Sequence, residues 1–486
     1  MGNIKASRWA VIALAVIMVF ASSGCGRNYE YSTGDLEWWS TYTKDKSISD
    51  TYYYSDDWFK DDPSSVNNEL ALASMQLVAS AVTNDEDGYS AAFLKNLGFD
   101  EIGFSDFESS DPDDCNYTRG RKTVGEGDSA FTLVAVAIQS SSHNAATKNK
   151  GWRQNFTVND ENSSEPAGEH YAYAKAVDKV IDDIAALGGS GSVRFWITGQ
   201  SRGGAIANVL SAKLPEKIGS EDAKVFAYTF EAPATVDEET ASAAKCAYIH
   251  NYVCEDDFVT KIPMWGMTRY GDTQELKTKE TDEGLKDELA KLGSDAADLN
   301  ARIVVRDQVS ALTEKLEQKI PTRADYSKVR TDKWTDADGK DHELTYSYQE
   351  AFVKLMDVVF RKDGGENPIR GLVSKKDAVK DLVDVLADGI KKEQSGDDPS
   401  AEYWEGTVIL YDALKDSYDS DLGFEKEDLY KIVTVGAPVL IDLPDGSGEP
   451  SIELLTSLVA YKEEMTYSHM FDTIIARLKI LAPDPK

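Results

Sequence analysis

A short apolar segment runs directly into a glycine-rich turn near the middle of the chain. Val193–Thr198 reads as a buried β strand, and the sequence Gly-Gln-Ser-Arg-Gly follows at 199–203. From Arg202 to Leu214 the apolar residues have helical spacing. A G-x-S-x-G sequence alone is common, but between a strand and a helix it forms a tight turn that exposes the serine hydroxyl. The segment therefore predicts an α/β architecture in which Ser201 is a candidate nucleophile.

The same alternation of strands and helices extends to both sides of this turn. A continuous apolar run, as in a strand buried on both faces, occupies Phe131–Ile138, and Lys224–Phe230 and Ala247–Val253 are expected to be two further strands. Helical spacing is found in Asn68–Val82 and Tyr171–Leu187. This order of elements predicts the α/β fold class, with a mostly parallel sheet and helices on both of its faces.

The chain of 486 residues is long enough for one large core and an accessory region. We expect the core to comprise residues 61–270 and 401–486. Residues 271–400 are charged and helical in pattern, which predicts an inserted helical region. Two interpretations of this insertion stay open: a cap over the site, or a packing appendage with no gating role.

The N-terminus has the pattern of a secretion signal. Lys5 and Arg8 precede Trp9–Phe20, a run of 12 apolar residues that is short for a membrane span but typical of a signal peptide. Small residues then lead to Cys25. This segment resembles a bacterial lipobox, although Ser22 stands where Leu is usual. The resemblance implies a signal peptide over 1–24, a lipidated Cys25 and attachment to the membrane as a cell-surface lipoprotein.

Plain secretion and an uncleaved anchor are the alternatives, and each places the body of the protein outside the cytoplasm. Residues 25–60 carry many aromatic side chains. We expect a tether that becomes an edge element covering the core, because aromatic residues usually bury their area; a carbohydrate or partner platform is the other interpretation. Three further cysteines are too few for a disulfide framework and allow at most one pair.

The net charge and the composition of the chain disfavour some classes of partner and ligand. The net charge of −33 disfavours nucleic acid and anionic membrane faces. Residues 336–339, Asp-Ala-Asp-Gly, lack the spacing of a calcium loop, so we expect a solvated turn and no metal site. No protein partner can be inferred from the sequence.

A nucleophilic serine needs a base, and in this architecture the acid and then the histidine follow the serine in the chain. Three histidines come after Ser201. His250 lies within an expected strand and is interpreted as a core residue, and His342 lies in the polar insertion, where we expect it to be solvated. His469 precedes an amphipathic C-terminal helix, where a base can reach the serine.

Three acids compete for the role of orienting the base. Glu255, Asp256 and Asp257 all follow the expected strand Ala247–Val253. The carboxyl ends of parallel strands form the crevice in which such sheets hold their sites. The residues by themselves leave this choice open.

A resemblance to a known family favours one of these three acids. The sequence ITGQSRGGA at 197–205 resembles the nucleophile elbow of the class 3 lipases, in particular a bacterial lipase-like branch with Arg after the serine. NYVCEDDFVTKIP at 251–263 resembles the acid segment of that family, with Thr260 in place of a usual Pro, and this implies that Asp257 is the acid. The segment around His469 is similar to the family's histidine segment.

The resemblance also implies where an oxyanion would be bound. Ile-Gln-Ser-Ser at 138–141 stands where the family usually has Phe-Arg-Gly followed by Thr or Ser. Aligning the two implies a donor at Ser141, with Ser140 or Gln139 as near alternatives. The second donor would be the backbone N–H of Arg202.

Together the resemblance implies an α/β-hydrolase fold and a serine hydrolase that cleaves carboxylic esters, with acyl lipids as the expected substrates and no cofactor. A peptidase, thioesterase or acyltransferase would use the same three residues, since a triad does not specify the acyl group. A catalytically inactive hydrolase fold that serves as a surface binding protein is a further alternative. The altered oxyanion sequence and the acidic insertion motivate it.

Overall fold

We describe the fold from a computed structural model of the chain. The structure describes residues 29–40, 47–81, 88–105, 115–140, 145–160, 168–220, 222–298, 306–359, 376–415, 422–443, 450–460 and 467–482. The expected signal peptide, Cys25 and Ser141 lie outside these residues. Within the described ranges, no helix is both long enough and apolar enough to cross a bilayer.

A seven-stranded sheet forms the centre of the fold, in the order β11-β9-β7-β6-β5-β4-β3. The five strands from β11 to β5 are parallel, and β4 and β3 continue the sheet as antiparallel strands. This is the expected mostly parallel sheet of an α/β-hydrolase. The described strands are β1 (Ser32–Trp39), β2 (Ser47–Tyr54), β3 (Glu101–Phe104), β4 (Tyr117–Val124), β5 (Phe131–Ile138), β6 (Val193–Gln200), β7 (Ala223–Phe230), β8 (Val236–Asp237), β9 (Ile249–Val253), β10 (Met267–Thr268), β11 (Asp272–Glu275), β12 (Arg330–Thr335) and β13 (Asp341–Tyr346).

Helices cover both faces of the sheet, as the alternating pattern predicts. The described α-helices are α1 (Asn68–Ser80), α2 (Tyr89–Asn96), α3 (Ala145–Phe156), α4 (Tyr171–Ala186), α5 (Arg202–Ile218), α6 (Glu238–Ala244), α7 (Lys279–Lys291), α8 (Arg306–Lys319), α9 (Arg323–Ser327), α10 (Tyr348–Val359), α11 (Lys376–Ser395), α12 (Ser400–Lys415), α13 (Lys426–Leu440), α14 (Glu453–Ala460) and α15 (Phe471–Leu481). One apolar cluster joins α1, α7 and α15 to the sheet, and a second joins α4 and α5 to the opposite face.

The aromatic N-terminal segment contributes to the first of these clusters. Strands β1 and β2 pair as an antiparallel hairpin beside α1. Trp38, Tyr54, Trp58 and Phe59 are almost fully buried there. Tyr54 and Phe59 lie against Trp196 of β6, with ring centroids 5.9 and 5.6 Å from it. These four side chains therefore extend the hydrophobic core.

Helix α5 is longer than the sequence predicts. The apolar spacing predicts a helix over Arg202–Leu214, but the helix continues through Pro215 to Ile218, and Gly219 follows it with a left-handed backbone (φ 64°). A proline has no N–H to donate to the carbonyl four residues earlier, here that of Ser211. The hydroxyl of Tyr248 donates to this carbonyl instead, at 3.3 Å, so that the helix can accommodate the proline.

The packing divides the C-terminal half differently from the expected boundaries at 271 and 400. Helix α7, within the expected insertion, packs on α15 and shares the core cluster of α1. Helices α12 and α13, beyond residue 400, instead pack with α11 and the β12–β13 hairpin around a separate aromatic cluster. The many charged residues of these segments make their apolar faces hard to recognise in the sequence. Those apolar faces determine which part of the protein each helix packs against.

One histidine of the insertion is largely buried, although the sequence predicts that it is solvated. His342 was expected to be solvated, but its side chain is only 9% exposed. Its ring stacks on Trp334 with an interplanar angle of 2°, and Nε2 lies 2.8 Å from Asp336 Oδ2. Asp336 also accepts N–H bonds from Asp338 and Lys340, so the acidic turn is organised by its own first carboxylate.

His170 is a buried histidine at the junction of α3 and α4. Its ring stacks on Tyr173 with centroids 3.8 Å apart, and Nε2 lies 3.3 Å from the carbonyl oxygen of Asn155. Burial lowers the pKa of His170 to about 3, and the nearby charge of Arg323 acts in the same direction. The ring is therefore neutral in the folded protein at neutral pH.

Replacing His170 by Gln should make the stability of the fold less sensitive to acid. The unfolded chain protonates this histidine near pH 6.5, whereas the folded chain does so only at about 3, so the folded state loses stability as the pH falls between these values. From about pH 7.5 to 5.5, wild type should lose about 1.4 kcal/mol more than His170→Gln. Denaturant unfolding at both pH values measures this difference, and equal losses in the two proteins would contradict it.

Candidate active site

Ser201 occupies the sharp turn between β6 and α5. Its backbone has φ 57° and ψ −132°, a conformation that non-glycine residues rarely adopt and that is typical of functional sites. The N–H of Ser201 donates to the carbonyl of Phe230 in β7 at 2.9 Å, and its own carbonyl accepts from Ala205 in the first turn of α5. The side chain is thereby held at the carboxyl end of the sheet.

The glycines of the turn allow backbones to touch. A Cβ on Gly199 would lie 2.3 Å from the carbonyl oxygen of Gly203. A Cβ on Gly203 would lie 2.5 and 2.6 Å from the carbonyl oxygens of Ile138 and Gln139, at the end of β5. The start of α5 therefore packs directly against the strand that leads to the expected oxyanion segment.

His469 lies beside Ser201. Its Nε2 is 2.9 Å from Ser201 Oγ, and its Nδ1 is 2.6 Å from Oδ2 of Asp257. Its side chain is 20% exposed, and its carbonyl accepts a hydrogen bond from the Gln200 side chain at 2.9 Å. A hydroxyl, an imidazole and a carboxylate joined in this order form the arrangement used for nucleophilic catalysis.

Asp257 is the fully buried end of this chain of hydrogen bonds. It lies just beyond the carboxyl end of β9 and begins a short 3-10 helix at Phe258–Lys261. Its Oδ1 accepts the N–H of Val259 at 2.9 Å, which leaves Oδ2 directed at His469. The fixed carboxylate can orient the imidazole and select the tautomer with a proton on Nδ1.

The neighbouring acid, Asp256, contacts a different part of the site. Its Oδ1 accepts from the hydroxyl of Ser468 at 2.8 Å, and its Oδ2 pairs with Lys277. Asp256 therefore holds the segment that carries His469 rather than the imidazole itself. Nothing in the sequence marks this contact, because Asp256 and Ser468 are separated by more than 200 residues.

The expected oxyanion segment is described in part. Gln139 directs its backbone N–H to the carbonyl of Asn116 at 2.8 Å, so this alternative does not supply a backbone donor. Ser140 is the last described residue before the gap that contains Ser141. Arg202 is the first residue of α5, where backbone N–H groups point toward the helix N-terminus and carry its partial positive charge.

The side chain of Arg202 turns into the protein. It is only 6% exposed, and its Nε donates to Oε1 of Gln154 in α3. Gln154 is itself buried, and the next residue, Asn155, accepts from the hydroxyl of Tyr173 at 2.9 Å. Arg202 thus ties the start of α5 to the helix that follows the oxyanion segment.

A second buried carboxyl group adjoins Asp257. Glu231 follows β7, is fully buried and has a left-handed backbone with φ 45°. Burial, and then the charge of Asp257, raise the pKa of Glu231 well above its ordinary value. Burial also lowers the pKa of the nearby Arg269 to about 10, against the opposing effect of both carboxylates. Sequence patterns identified neither residue.

His250, the remaining histidine after the serine, is a core residue as expected. It is fully buried in β9, and its Nε2 lies 2.9 Å from the carbonyl oxygen of Pro63. The structure records Cys115, Cys246 and Cys254 as buried thiols.

Residues 118–267 match the family model of class 3 lipases. The matched segment runs from β4 through the elbow to β10, so it includes Ser201 and Asp257. No curated protein matches the chain.

Solved lipase structures resemble part of the fold. A triacylglycerol lipase whose catalytic centre is a serine protease triad shares 18% identity, with 43% of this chain and 80% of that chain covered and a TM-score of 0.32. A Rhizomucor miehei lipase in complex with its propeptide also shares 18% identity, covering 44% and 69%, with a TM-score of 0.32. Lipase II from Rhizopus niveus shares 13% identity, covering 50% and 84%, with a TM-score of 0.30.

Replacing Gly203 by Ala should disrupt the elbow. The new methyl group would overlap two backbone carbonyls of the β5 end, so we expect a loss of about 3 kcal/mol in unfolding free energy and a large loss of activity. Gly436→Ala is the matched control, since this helical glycine meets nothing closer than 3.9 Å. Alanine there should stabilise helix α13 by about 0.5–1 kcal/mol. Thermal unfolding of both variants tests the contrast, and equal stability would refute it.

Proposed function

We propose that the chain is a serine hydrolase that cleaves carboxylic esters of acyl lipids through an acyl-enzyme. The observation that carries this proposal is the hydrogen-bonded order Ser201, His469, Asp257 at a strained strand-to-helix turn. The match of residues 118–267 to class 3 lipases supports the ester-hydrolase class. No cofactor enters the proposed reaction.

In the proposed reaction, Ser201 Oγ attacks the ester carbonyl while Nε2 of His469 takes its proton. Asp257 stabilises the imidazolium that forms and keeps its orientation. When the tetrahedral intermediate collapses, His469 protonates the leaving alcohol and Ser201 carries the acyl group. Water, activated by His469 in the same way, then releases the carboxylic acid and restores the serine.

Donors at the start of α5 would stabilise the oxyanion of both intermediates. We assign the backbone N–H of Arg202 to this role, since the contact of its side chain with Gln154 fixes the first turn of the helix. The second donor in this proposal is Ser141. A lost oxyanion donor typically raises the barrier by about 2.7–4 kcal/mol.

The side chains next to the acid segment are apolar. Phe258, the residue after Asp257, lies among aromatic and aliphatic side chains that include Phe156, Trp265, Leu316 and Phe352. The space between them has a volume of about 20 Å³, which is too small for an acyl chain, so binding of a chain here would require these side chains to move apart.

Replacing Ser201 by Ala should abolish hydrolysis of p-nitrophenyl esters. The loss of the nucleophile is expected to lower kcat by about 10⁴-fold or more, with the fold retained. A fluorophosphonate probe should label wild type at Ser201 and leave Ser201→Ala unlabelled. A folded wild-type protein without this adduct would point to an inactive hydrolase fold that binds ligands. Faster turnover of thioesters or amides than of esters would favour the corresponding alternative chemistry.

We further propose that the protein acts outside the cytoplasm, attached to the membrane through a lipidated Cys25, with secretion as the alternative. The apolar run before Cys25 and the small residues that lead to it support this proposal. Expression in a bacterial host with a radiolabelled fatty acid should label wild type, and Cys25→Ser should lose the label. Labelling of both proteins, or of neither, would contradict lipidation at Cys25.

A further inference from the structure

Glu231 is placed at the site at a conformational cost. Its φ of 45° lies in the left-handed region, which glycine adopts without strain and which a glutamate adopts only when its surroundings enforce it. Its N–H donates to the carbonyl of Tyr252 at 2.8 Å, and this bond holds the turn after β7 against β9. The strained backbone directs a carboxyl group into a fully buried position beside Asp257.

The hydrogen-bond donors around the two carboxyl groups are unequal. Asp257 receives the N–H of Val259 and the Nδ1–H of His469, one on each oxygen. Glu231 Oε2 accepts the N–H of Cys254 at 3.0 Å, and among the described residues no N–H or O–H group reaches its Oε1. Two other side chains lie close enough to the Glu231 carboxyl group for a hydrogen bond: the carboxyl group of Asp257 and the thiol of Cys254.

Two carboxyl groups can form a hydrogen bond only if one of them holds a proton. Asp257 has the donors that stabilise an anion, and Glu231 has an oxygen without one. The proton therefore belongs on Glu231. The pKa of Glu231, raised by burial and by the charge of Asp257, agrees with this placement.

The other titratable and charged groups near Glu231 are consistent with one net negative charge for the pair. From the segment after β9 comes the Cys254 thiol, whose pKa burial also raises. From the segment after β10 comes Arg269, which donates to the carbonyls of Ala232 and Thr260 at 2.7 and 2.5 Å. The guanidinium of Arg269 lies near both carboxyl groups and balances one buried anion, and a second anion in the pair would need a counterion of its own.

We propose that Glu231 is a positioning residue: as a neutral acid it donates a hydrogen bond to the carboxylate of Asp257 and fixes that carboxylate against His469. This role rests on the proposed function of Ser201 and His469. Glu231 does not touch the reacting atoms, so it acts on the rate through the orientation of Asp257. Its effect therefore belongs to kcat rather than to substrate binding.

Infrared difference spectroscopy tests the proton directly. At about pH 7, wild type minus Glu231→Gln should show the C=O stretching band of a protonated carboxyl group, with a shift in D₂O. The band should persist above the pH range in which an exposed glutamate ionises. A spectrum with a carboxylate band in its place would overturn the proposal, whether or not the protein hydrolyses esters.

Kinetics of two variants test the positioning role. Glu231→Gln keeps an N–H donor of the same shape and should retain kcat within about threefold of wild type. Glu231→Gly removes the donor while relieving the backbone, and should lower kcat by up to about 100-fold with KM within about twofold. Titration with a fluorophosphonate corrects each rate for the fraction of folded enzyme.

Glu275→Gln is the control for removal of a carboxylate elsewhere on the sheet, because Glu275 lies on the edge strand β11 and its pKa is also raised by desolvation. Its kcat should equal that of wild type. An unchanged kcat in Glu231→Gly, or an equal loss in Glu231→Gln, would overturn the positioning role. A wild-type protein that hydrolyses no ester would instead count against the proposed function. The infrared band would still show whether Glu231 is protonated.

Discussion

The close contact between the end of β6 and the start of α5 is the constraint on which the site depends. Gly199 and Gly203 bring the two backbones within a distance that any side chain would prevent. The same contact places the first turn of α5 against the end of β5. Nucleophile, helix N-terminus and oxyanion segment are thus positioned by backbone packing, before any side chain of the site contributes.

The parts of the fold that the sequence predicts are those in which one local pattern decides the structure. The strand Phe131–Ile138 has the predicted bounds because a continuous apolar run of that length, rich in β-branched residues, is typical of a strand buried on both faces. The elbow follows from glycine spacing between a strand and a helix. The α/β-hydrolase fold is confirmed by the order and direction of the strands.

Predictions from local sequence are wrong where a distant residue compensates for a local rule. Pro215 ends a helix unless something else satisfies the carbonyl it cannot reach, and Tyr248 does so from outside the helix. His342 lies in a polar stretch, yet its ring packs against Trp404 of α12, with centroids 4.7 Å apart, as well as against Trp334. The local sequence does not indicate these partners, because the charge and polarity of a segment do not show which surface the segment packs against.

The residues of the candidate site also fall into two groups: those that a local motif identifies and those whose partners are distant in the sequence. Ser201, Asp257 and His469 are in positions that an ordered motif can identify, and the structure brings them together. Whether they catalyse ester hydrolysis stays a prediction. The groups that hold them, Gln200 and Asp256, are ordinary polar residues whose partners lie more than 200 positions away.

The protonation of Glu231, like the contacts of the other supporting residues, is not evident from the sequence. Its sequence context, Phe-Glu-Ala-Pro, gives no sign of a left-handed backbone, and its acidity depends on burial and on a carboxylate from another strand. A motif can locate a nucleophile, a base and an acid, but the protonation of a fourth group depends on the three-dimensional balance of donors and charges. In this chain that balance leaves one anion, Asp257, facing the imidazole, and a neutral acid behind it.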